Sequence, residues 1–245
     1  MRLAIITDVH EDFRMLEKAM QKLKSIGYDM LICLGDITGY ARAFYDHNAD
    51  ANSCIDLFRE YADIAVAGNH DLFNSQRLPS YYQDINLPDN WYMLPVEQQR
   101  AISNNKIWLY EEEIIPKLTP TNFEYLKKLN ETEIVENGYT NILFSHFLKP
   151  DITGMGKWFP YRTNELGKHF RLMEENNSKL AFIGHSHPNG VTLAGKLFWS
   201  APRCNAFKIK RNPRIIFCPA LAGEKNNCRL LVFDVNKREI IPFII

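Results

Sequence analysis

The sequence Ile64-Ala65-Val66-Ala67-Gly68-Asn69-His70-Asp71 joins a short apolar run directly to a polar turn. The apolar run is typical of a buried strand, and glycine followed by asparagine is typical of the turn after it. A turn alone does not require histidine and aspartate, and a buried charge without a partner is costly. We therefore expect a strand whose carboxyl end presents side chains to a functional site.

Two earlier segments have the same arrangement. Residues 3–7 form an apolar run that is followed by Asp8 and His10, and residues 30–34 form another that is followed by Asp36. Each run has the length and composition of a strand that is buried on both faces. The sequence therefore predicts three strands that each end in a polar group.

Helical patterns separate these three strands. Apolar residues spaced three and four apart predict a helix between Asp12, which is a favourable N-cap, and Gly27, which is placed to end it. A second helix is predicted at residues 51–61. Strands that alternate with helices in this way form a parallel sheet with right-handed crossovers.

The middle of the chain departs from this alternation. Residues 72–118 are rich in aromatic residues, asparagine and glutamine, and we interpret them as a helical insertion that forms a lid or pocket wall. Residues 121–124 have the spacing of a capping box, which predicts a helix to about Leu129. Asn137-Gly138 between the runs 133–136 and 139–144 predicts a β-hairpin with a type I′ turn.

The remaining residues predict the second half of the fold. A helix is expected at 163–175, a strand at 179–183, and several short alternating runs from Gly190 onward indicate an antiparallel or mixed second sheet. We see no linker and expect one domain over residues 1–245. The predicted fold class is α/β, a four-layer α/β/β/α sandwich of two mixed sheets flanked by helices.

The composition limits the classes of function. Lys+Arg and Asp+Glu both count 29, so the net charge is zero and the chain lacks the basic character of a dedicated nucleic-acid binder. The longest apolar run, residues 215–222, is too short to span a bilayer, and the N-terminus lacks the apolar length of a signal peptide. Five cysteines without CxxC spacing predict reduced thiols and a cytoplasmic location.

Side chains of the metal-ligand type follow predicted strands at five places along the chain. Because the carboxyl ends of strands in open α/β sheets are where ligands bind, these side chains are expected to converge. They are Asp8, His10, Asp36, Asn69, His70, His146, His185 and His187.

The ordered motifs DxH, GD, GNHD, a lone H and GHxH resemble those of the calcineurin-like metallophosphoesterase superfamily, in particular its small prokaryotic phosphodiesterase-like branch. The resemblance implies two divalent metal ions. It implies that the first is held by Asp8, His10 and His187, the second by Asn69, His146 and His185, with Asp36 bridging both. Oxygen and imidazole donors without thiolate suit Mn, Fe, Zn, Co or Ni, and Mn is favoured.

The resemblance also implies a mechanism. A metal-bridging hydroxide would attack in line a phosphodiester or a small phosphomonoester, with nucleotides among the expected substrates. His70 would be the outer-sphere catalytic histidine. Asp71 has two interpretations that the sequence leaves equally open: it orients the imidazole of His70, or it caps a helix.

The segment after His146 offers possible substrate contacts. Trp158 and Phe159 are interpreted either as a clamp around an aromatic leaving group, with Arg162 on the phosphate, or as surface-loop residues whose rings pack inward. The expected partner is a small phosphate ester, without a membrane, and the chain is expected to be a monomer or a homodimer.

Two other classes of function compete with the hydrolase. A catalytically weak metal-binding scaffold for protein partners would keep the fold, but degenerate ligand positions, its expected signature, do not occur in this sequence. A nuclease requires a basic track for the nucleic-acid backbone, and the neutral composition argues mildly against it.

Overall fold

The computed structural model describes residues 1–80, 85–136, 138, 141–223 and 228–245 of the chain. The strands in these ranges are β1 (Arg2–Ile6), β2 (Met30–Cys33), β3 (Ile64–Ala65), β4 (Thr132–Val135), β5 (Asn141–Ser145), β6 (Ser178–Ile183), β7 (Thr192–Gly195), β8 (Phe198–Trp199), β9 (Phe207–Lys208), β10 (Arg214–Phe217), β11 (Leu230–Asp234) and β12 (Glu239–Phe243). The helices are α1 (Phe13–Ile26), α2 (Ala51–Tyr61), α3 (Asn69–Asn74), α4 (Val96–Ser103), α5 (Pro120–Lys128) and α6 (Gly167–Glu175).

Within the described residues these strands form two mixed sheets of six strands each. The first has the order β3-β2-β1-β11-β12-β9 and the second the order β4-β5-β6-β10-β7-β8. Strands β1, β2 and β3 are parallel, as the alternation of strands and helices predicts, and so are β5, β6 and β10. The predicted four-layer sandwich of two mixed sheets is confirmed.

The strands after Gly190 divide between the two sheets. The sequence predicts that these runs build a second sheet, and β7, β8 and β10 do join it. Strands β9, β11 and β12 instead complete the first sheet, where β11 pairs antiparallel with β1. The expectation was incomplete because strand pairing over such a sequence distance leaves no local signal.

Alternate side chains of β1 pack into two different hydrophobic cores. Leu3 and Ile5 are buried between the two sheets, whereas Ala4 and Ile6 are buried under α1 and α2. This follows from the two-residue period of a strand that is covered on both faces. Phe182 on β6 belongs to the core between the sheets, and α6 covers the outer face of the second sheet.

Two local predictions are corrected or lie outside the described residues. Helix α5 is capped by Thr119, whose hydroxyl accepts a hydrogen bond from the N–H of Asn122 at 3.2 Å, so the expected capping box at 121–124 is wrong. Pro120 occupies the first helical turn, where its fixed φ is favourable. Strands β4 and β5 form the predicted hairpin, but its expected type I′ turn at 137–138 falls partly outside the described residues.

The described part of residues 72–118 is helical only in pieces. It contains α4 and a single 3₁₀ turn, and it has a small apolar core in which Trp91 and Ile107 contact Met155 of the main body. The segment is also joined to the loop after β2, because the N–H of Ile114 donates to the carbonyl of Tyr40 at 2.8 Å. Among the described residues, no helix has both the length and the apolar character that a membrane crossing requires.

Candidate metal centre

The candidate ligands extend from the carboxyl ends of strands in both sheets. Asp8, Asp36 and Asn69 follow β1, β2 and β3 of the first sheet, and His146 and His185 follow β5 and β6 of the second. Five of the candidate ligands have a left-handed backbone conformation. This conformation is uncommon for residues other than glycine and is found most often at functional sites. Their φ angles are 54° at Asp8, 46° at His10, 51° at Asp36, 62° at His185 and 42° at His187.

Two motif glycines allow the turns to approach closely. A Cβ atom on Gly68 would collide with the carboxylate of Asp36, and a Cβ on Gly184 would lie 2.7 Å from Oδ2 of Asp8. Any larger residue at either position would displace a carboxylate. These glycines therefore bring turns from different strands into one cluster.

The first group consists of Asp8, His10 and His187. Their ligand atoms lie within 4.8 Å of one another. Nε2 of His187 is 3.1 Å from Oδ1 of Asp8 and 3.3 Å from Nε2 of His10. Nδ1 of His10 faces the carbonyl of Gly39 at 2.9 Å, so a proton on Nδ1 leaves the Nε2 lone pair directed at the group.

The second group consists of Asp36, His146 and His185. Nε2 of His146 lies 3.1 Å from Oδ2 of Asp36 without the alignment of a hydrogen bond, and its Nδ1 faces the carbonyl of Leu34 at 2.7 Å. This arrangement again leaves Nε2 free for a cation. Asp36 also belongs to a third group of ligand-type atoms, with His10 and His70. This third group shares His10 with the first group and Asp36 with the second, so it links the two.

The cluster contains buried atoms whose environment suits a cation. Oδ1 of Asn69, Nε2 of His146 and Nε2 of His185 are buried, and none has a hydrogen-bond partner among the described residues. Buried polar atoms are rarely left unsatisfied, and each of these three is an acceptor or carries a lone pair in the appropriate tautomer. The donor set therefore fits divalent cations that accept mixed oxygen and nitrogen ligands.

Burial and neighbouring charges set the protonation of the cluster. Burial raises the pKa of Asp8, but the charges of His187 and His146 outweigh it and bring the pKa to about 2. Burial, followed by the charge of His70, lowers the pKa of His10 to about 3. Burial, followed by the charge of His146, lowers the pKa of His185 to about 3. The carboxylate of Asp8 is thus ionised and the imidazoles of His10 and His185 are neutral at neutral pH, as metal binding requires. Burial lowers the pKa of His146, but the charge of Asp36 raises it to about 9, so a cation that binds at His146 has to displace a proton.

The structure gives His70 a carboxylate partner that the sequence analysis did not identify. Nδ1 of His70 is 2.5 Å from Oε2 of Glu113, a residue near the end of the 72–118 segment. Burial lowers the pKa of His70, but the charge of Glu113, followed by that of Asp36, raises it to about 10. The second oxygen of Glu113 accepts a hydrogen bond from Asn74, so both of its oxygens are engaged by α3.

Asp71 has the capping role rather than the orienting role. Its Oδ1 accepts hydrogen bonds from the backbone and hydroxyl of Thr38, both at 3.0 Å, and its Oδ2 accepts one from the backbone of Gly68 at 3.1 Å. The contact with the imidazole of His70 that was one of its two interpretations is therefore wrong, because Glu113 makes that contact. Asp71 fixes the turn that carries Asn69.

A cavity of about 540 Å³ opens over the cluster. This volume is within the range of small-molecule sites, roughly 300–1,000 Å³. Its base contains His10, Asp36, Asn69, His70, His185 and His187. Its walls include the aromatic residues Phe44, Tyr45, Trp108, Tyr110 and Phe159, together with Lys157 and the acidic run Glu111–Glu113.

The three predicted substrate contacts have different positions. Phe159 lines the cavity and stacks parallel on the imidazole of His185, with ring centroids 5.2 Å apart. Trp158 packs edge-on against Phe147 instead, as the inward-packing interpretation predicted. Arg162 is exposed, and its backbone N–H donates to Glu165 at 3.0 Å. Of the three residues, the structure therefore places only Phe159 beside the cluster, and the clamp stays a prediction.

Sequence reasoning missed several residues of the site. Tyr45 stacks on His10 at 4.8 Å between centroids, and the hydroxyl of Tyr110 accepts a hydrogen bond from Asn69 at 3.1 Å. Neither residue stands in a motif of recognisable spacing. Glu113 belongs to the acidic run Glu111–Glu113, which in a sequence indicates only a charged surface. Their positions follow from how the loops fold over the cluster.

The sandwich and its cluster together define an α/β protein with a candidate metal centre at the strand ends. The chain belongs to the calcineurin-like phosphoesterase family, whose sequence model matches residues 1–189. The matched residues include all of the candidate ligands, from Asp8 to His187. An uncharacterized protein of Methanocaldococcus jannaschii is similar to it, with 35% identity over a stretch that covers 28% of this chain and 26% of that protein.

Solved structures share the fold. A metallophosphoesterase from Sphaerobacter thermophilus superposes with a TM-score of 0.67 at 19% identity, and the alignment covers 100% of this chain and 88% of that one. A hypothetical protein from Pyrococcus horikoshii OT3 superposes with a TM-score of 0.60 at 13% identity, covering 100% and 87% of the two chains. At these identities the likeness concerns the fold alone.

Proposed function

We propose that this protein is a dinuclear metal-dependent phosphoesterase that hydrolyses phosphodiesters or small phosphomonoesters, including nucleotides. One observation carries the proposal. Oδ1 of Asn69 and the Nε2 atoms of His146 and His185 are buried without hydrogen-bond partners among the described residues, and they lie in the same cluster as Asp8 and Asp36. Burying these three ligand-type atoms away from water is unfavourable unless bound cations replace the hydrogen bonds that the atoms lose.

The proposed ligand set divides the cluster between two ions. Asp36 would bridge them, because it belongs to the second group and also shares a group of ligand-type atoms with His10 of the first. The first ion would be held by Asp8, His10 and His187, and the second by Asn69, His146 and His185. Bound divalent cations supply Lewis-acid activation of water and neutralise charge on the phosphate. Mn²⁺ is the ion we favour, because the donors are oxygen and imidazole.

His70 is the proposed proton donor to the departing ester oxygen, or a hydrogen-bond donor to the phosphate. Its Nδ1 is engaged by Glu113, so Nε2 is the nitrogen that remains for the substrate. The residue lines the cavity together with His10 and Asp36. A histidine in this position contributes by proton transfer to the leaving group.

The walls of the cavity support a substrate with a flat apolar group. Trp108 and Phe159 present aromatic surface, and the ammonium of Lys157 lies 5.5 Å from the centre of the Trp108 ring. An aromatic leaving group or a nucleobase would stack on such walls. We further propose one domain over residues 1–245 with the segment 72–118 as its lid, because this segment contributes Trp108 and Tyr110 to the wall.

Location and assembly complete the proposal. We place the protein in the cytoplasm because its cysteines, Cys33, Cys54, Cys204, Cys218 and Cys228, are free thiols. We propose a monomer or a homodimer that acts on a small phosphate ester rather than on nucleic acid, because the chain has no net charge. Sedimentation analysis of the purified protein measures the assembly directly.

Hydrolysis assays test the function. Purified protein with Mn²⁺ is incubated with bis-p-nitrophenyl phosphate and, separately, with p-nitrophenyl phosphate, each with and without a chelator. We expect chelator-sensitive release of p-nitrophenol, and the ratio of the two rates distinguishes diesterase from monoesterase. Two bound Mn²⁺ ions without turnover of either substrate would instead favour the metal-binding scaffold.

A further inference from the structure

Near its C-terminal end, the segment 72–118 forms a tight turn against the metal centre. In this turn, residues 110–113, the N–H of Glu113 donates to the carbonyl of Tyr110 at 3.1 Å. Tyr110 has a φ of 53°, a left-handed conformation that costs energy for a tyrosine. The next residue, Ile114, is hydrogen-bonded to Tyr40 in the loop after β2. The 110–113 turn is thus closed by its own hydrogen bond and anchored to the loop after β2 by the residue that follows it.

Tyr110 contacts Asn69 through its hydroxyl. Nδ2 of Asn69 donates to the phenol oxygen at 3.1 Å, and Oδ1 stays buried without a hydrogen-bond partner among the described residues. The tyrosine ring is itself fixed, because it stacks on Phe73 at 4.5 Å and packs against the ring of His70 at 5.0 Å. A rigid phenol therefore holds the plane of the amide whose oxygen is a proposed ligand of the second ion.

Glu113 contacts His70 through its carboxylate. Its Oε2 engages Nδ1 of His70 at 2.5 Å, and its Oε1 accepts a hydrogen bond from Asn74 at 2.6 Å. The Glu113 side chain is only 3% exposed, so water competes little for these bonds. With Nδ1 engaged, the imidazole cannot rotate freely and Nε2 is presented to the cavity.

We infer that the 110–113 turn positions both functional residues of α3: Tyr110 holds the Asn69 amide for metal binding, and Glu113 holds the His70 imidazole for turnover. This inference rests on the proposed function. Neither residue touches the reacting atoms, so both are positioning residues. The segment 72–118 is consequently part of the metal centre's support as well as a wall of the cavity.

Metal binding tests the role of Tyr110. Tyr110→Phe keeps the ring and removes the hydroxyl, and we expect one of two Mn²⁺ equivalents to bind roughly 10–100-fold more weakly in titration calorimetry. At two Mn²⁺ equivalents per chain, and at a concentration between the two dissociation constants of the variant, the low-temperature electron paramagnetic resonance spectrum should show single ions in the variant and a coupled Mn²⁺ pair in the wild type. Tyr92→Phe is the matched control, because Tyr92 lies in the same segment and its hydroxyl has no hydrogen-bond partner among the described residues.

Kinetics test the role of Glu113. Glu113→Gln should keep both Mn²⁺ ions and the KM for bis-p-nitrophenyl phosphate, while kcat falls roughly 10–100-fold. Glu97→Gln, which removes an exposed carboxylate from α4 of the same segment, should match the wild type.

The outcomes separate this inference from the proposed function. An active wild-type protein with two Mn²⁺ ions, together with unchanged metal affinity in Tyr110→Phe, would overturn the role of Tyr110 and leave the function standing. Unchanged kcat in Glu113→Gln would do the same for Glu113. A wild-type protein that binds fewer than two Mn²⁺ ions and shows no turnover would overturn both the inference and the proposed function.

Discussion

The backbone N–H of His185 lies 3.1 Å from both carboxylate oxygens of Asp8, across 177 residues of chain. Asp8 follows β1 in the first sheet and His185 follows β6 in the second. Thr7 donates a further hydrogen bond to Oδ2 of Asp8 at 2.8 Å. One carboxylate therefore links the two sheets at the edge where the candidate ligands converge.

Asp36→Asn is expected to abolish metal binding and activity together. Asp36 is buried and lies between the two groups of candidate ligands, so loss of its charge weakens both ion positions. Elemental analysis after dialysis and hydrolysis of bis-p-nitrophenyl phosphate measure the two losses. Asp56→Asn removes an exposed carboxylate from α2 and should behave as the wild type. Full activity of Asp36→Asn would contradict the bridging role.

His70→Ala is expected to separate catalysis from metal binding. His70 is placed outside the proposed ligand set, so both metals and the fold should be retained. Turnover should fall roughly 10²–10⁴-fold, because a group that transfers a proton to the leaving oxygen is removed. Steady-state kinetics beside elemental analysis check this expectation. Turnover equal to that of the wild type would remove His70 from the mechanism.

Phe182→Ala is expected to destabilise the fold by roughly 3–5 kcal/mol, since it opens a cavity in a closely packed core. The ring is fully buried between the sheets, with its centroid 5.3 Å from that of Phe233 and 5.8 Å from that of Phe144. Urea unfolding measures the loss. The control is Tyr161→Ala, which truncates a side chain that is 90% exposed and should change the unfolding free energy little.

Acid should destabilise the protein partly through His169. This residue is fully buried, and its Nδ1 accepts a hydrogen bond from the backbone of Lys149 at 3.1 Å. Burial, followed by the charge of Lys149, lowers its pKa from the usual value of 6.5 to about 3. As the pH falls below 6.5, His169 binds a proton in the unfolded chain but stays neutral in the folded chain. The contribution of His169 to the free energy of unfolding is therefore present above this pH and is lost below it.

The variant His169→Asn isolates this contribution, because the amide oxygen can keep the bond to Lys149 without titrating. Between pH 7.0 and pH 5.5 the wild type should lose about 1 kcal/mol more than the variant, because the limiting slope of about 1.4 kcal/mol per pH unit is reached only well below the unfolded pKa. Urea unfolding of both proteins at pH 7.0 and pH 5.5, under the same metal conditions, gives the comparison. Parallel pH dependence in the two proteins would exclude His169 as a source of acid sensitivity.

The local parts of the fold and site followed from the sequence. The positions of Asp8 and Asp36 were predictable because each follows a strand that is buried on both faces, and the carboxyl ends of such strands are where ligands bind. Helix α1 and its cap at Asp12 followed from the period of apolar residues and a side chain suited to the first turn. These features are encoded within a few neighbouring residues.

The parts that were missed depend on contacts between distant segments. The pairing of β11 with β1 joins residues near opposite ends of the chain, and nothing local distinguishes it from pairing in the other sheet. The choice of Glu113 over Asp71 as the partner of His70 was equally inaccessible, since it depends on how the segment 72–118 folds back. The cap at Thr119 was missed because Pro120 was not recognised as the first helical residue.

The division of the candidate ligands between the sheets has a consequence for biosynthesis. Asp8, Asp36 and Asn69 are made early, but they meet His146 and His185 only when the second sheet has been synthesised and has docked. In the proposed ligand sets, neither ion position is complete before His185 and His187 have been synthesised. A chain arrested on the ribosome before these residues would therefore bind the cations more weakly than the complete protein.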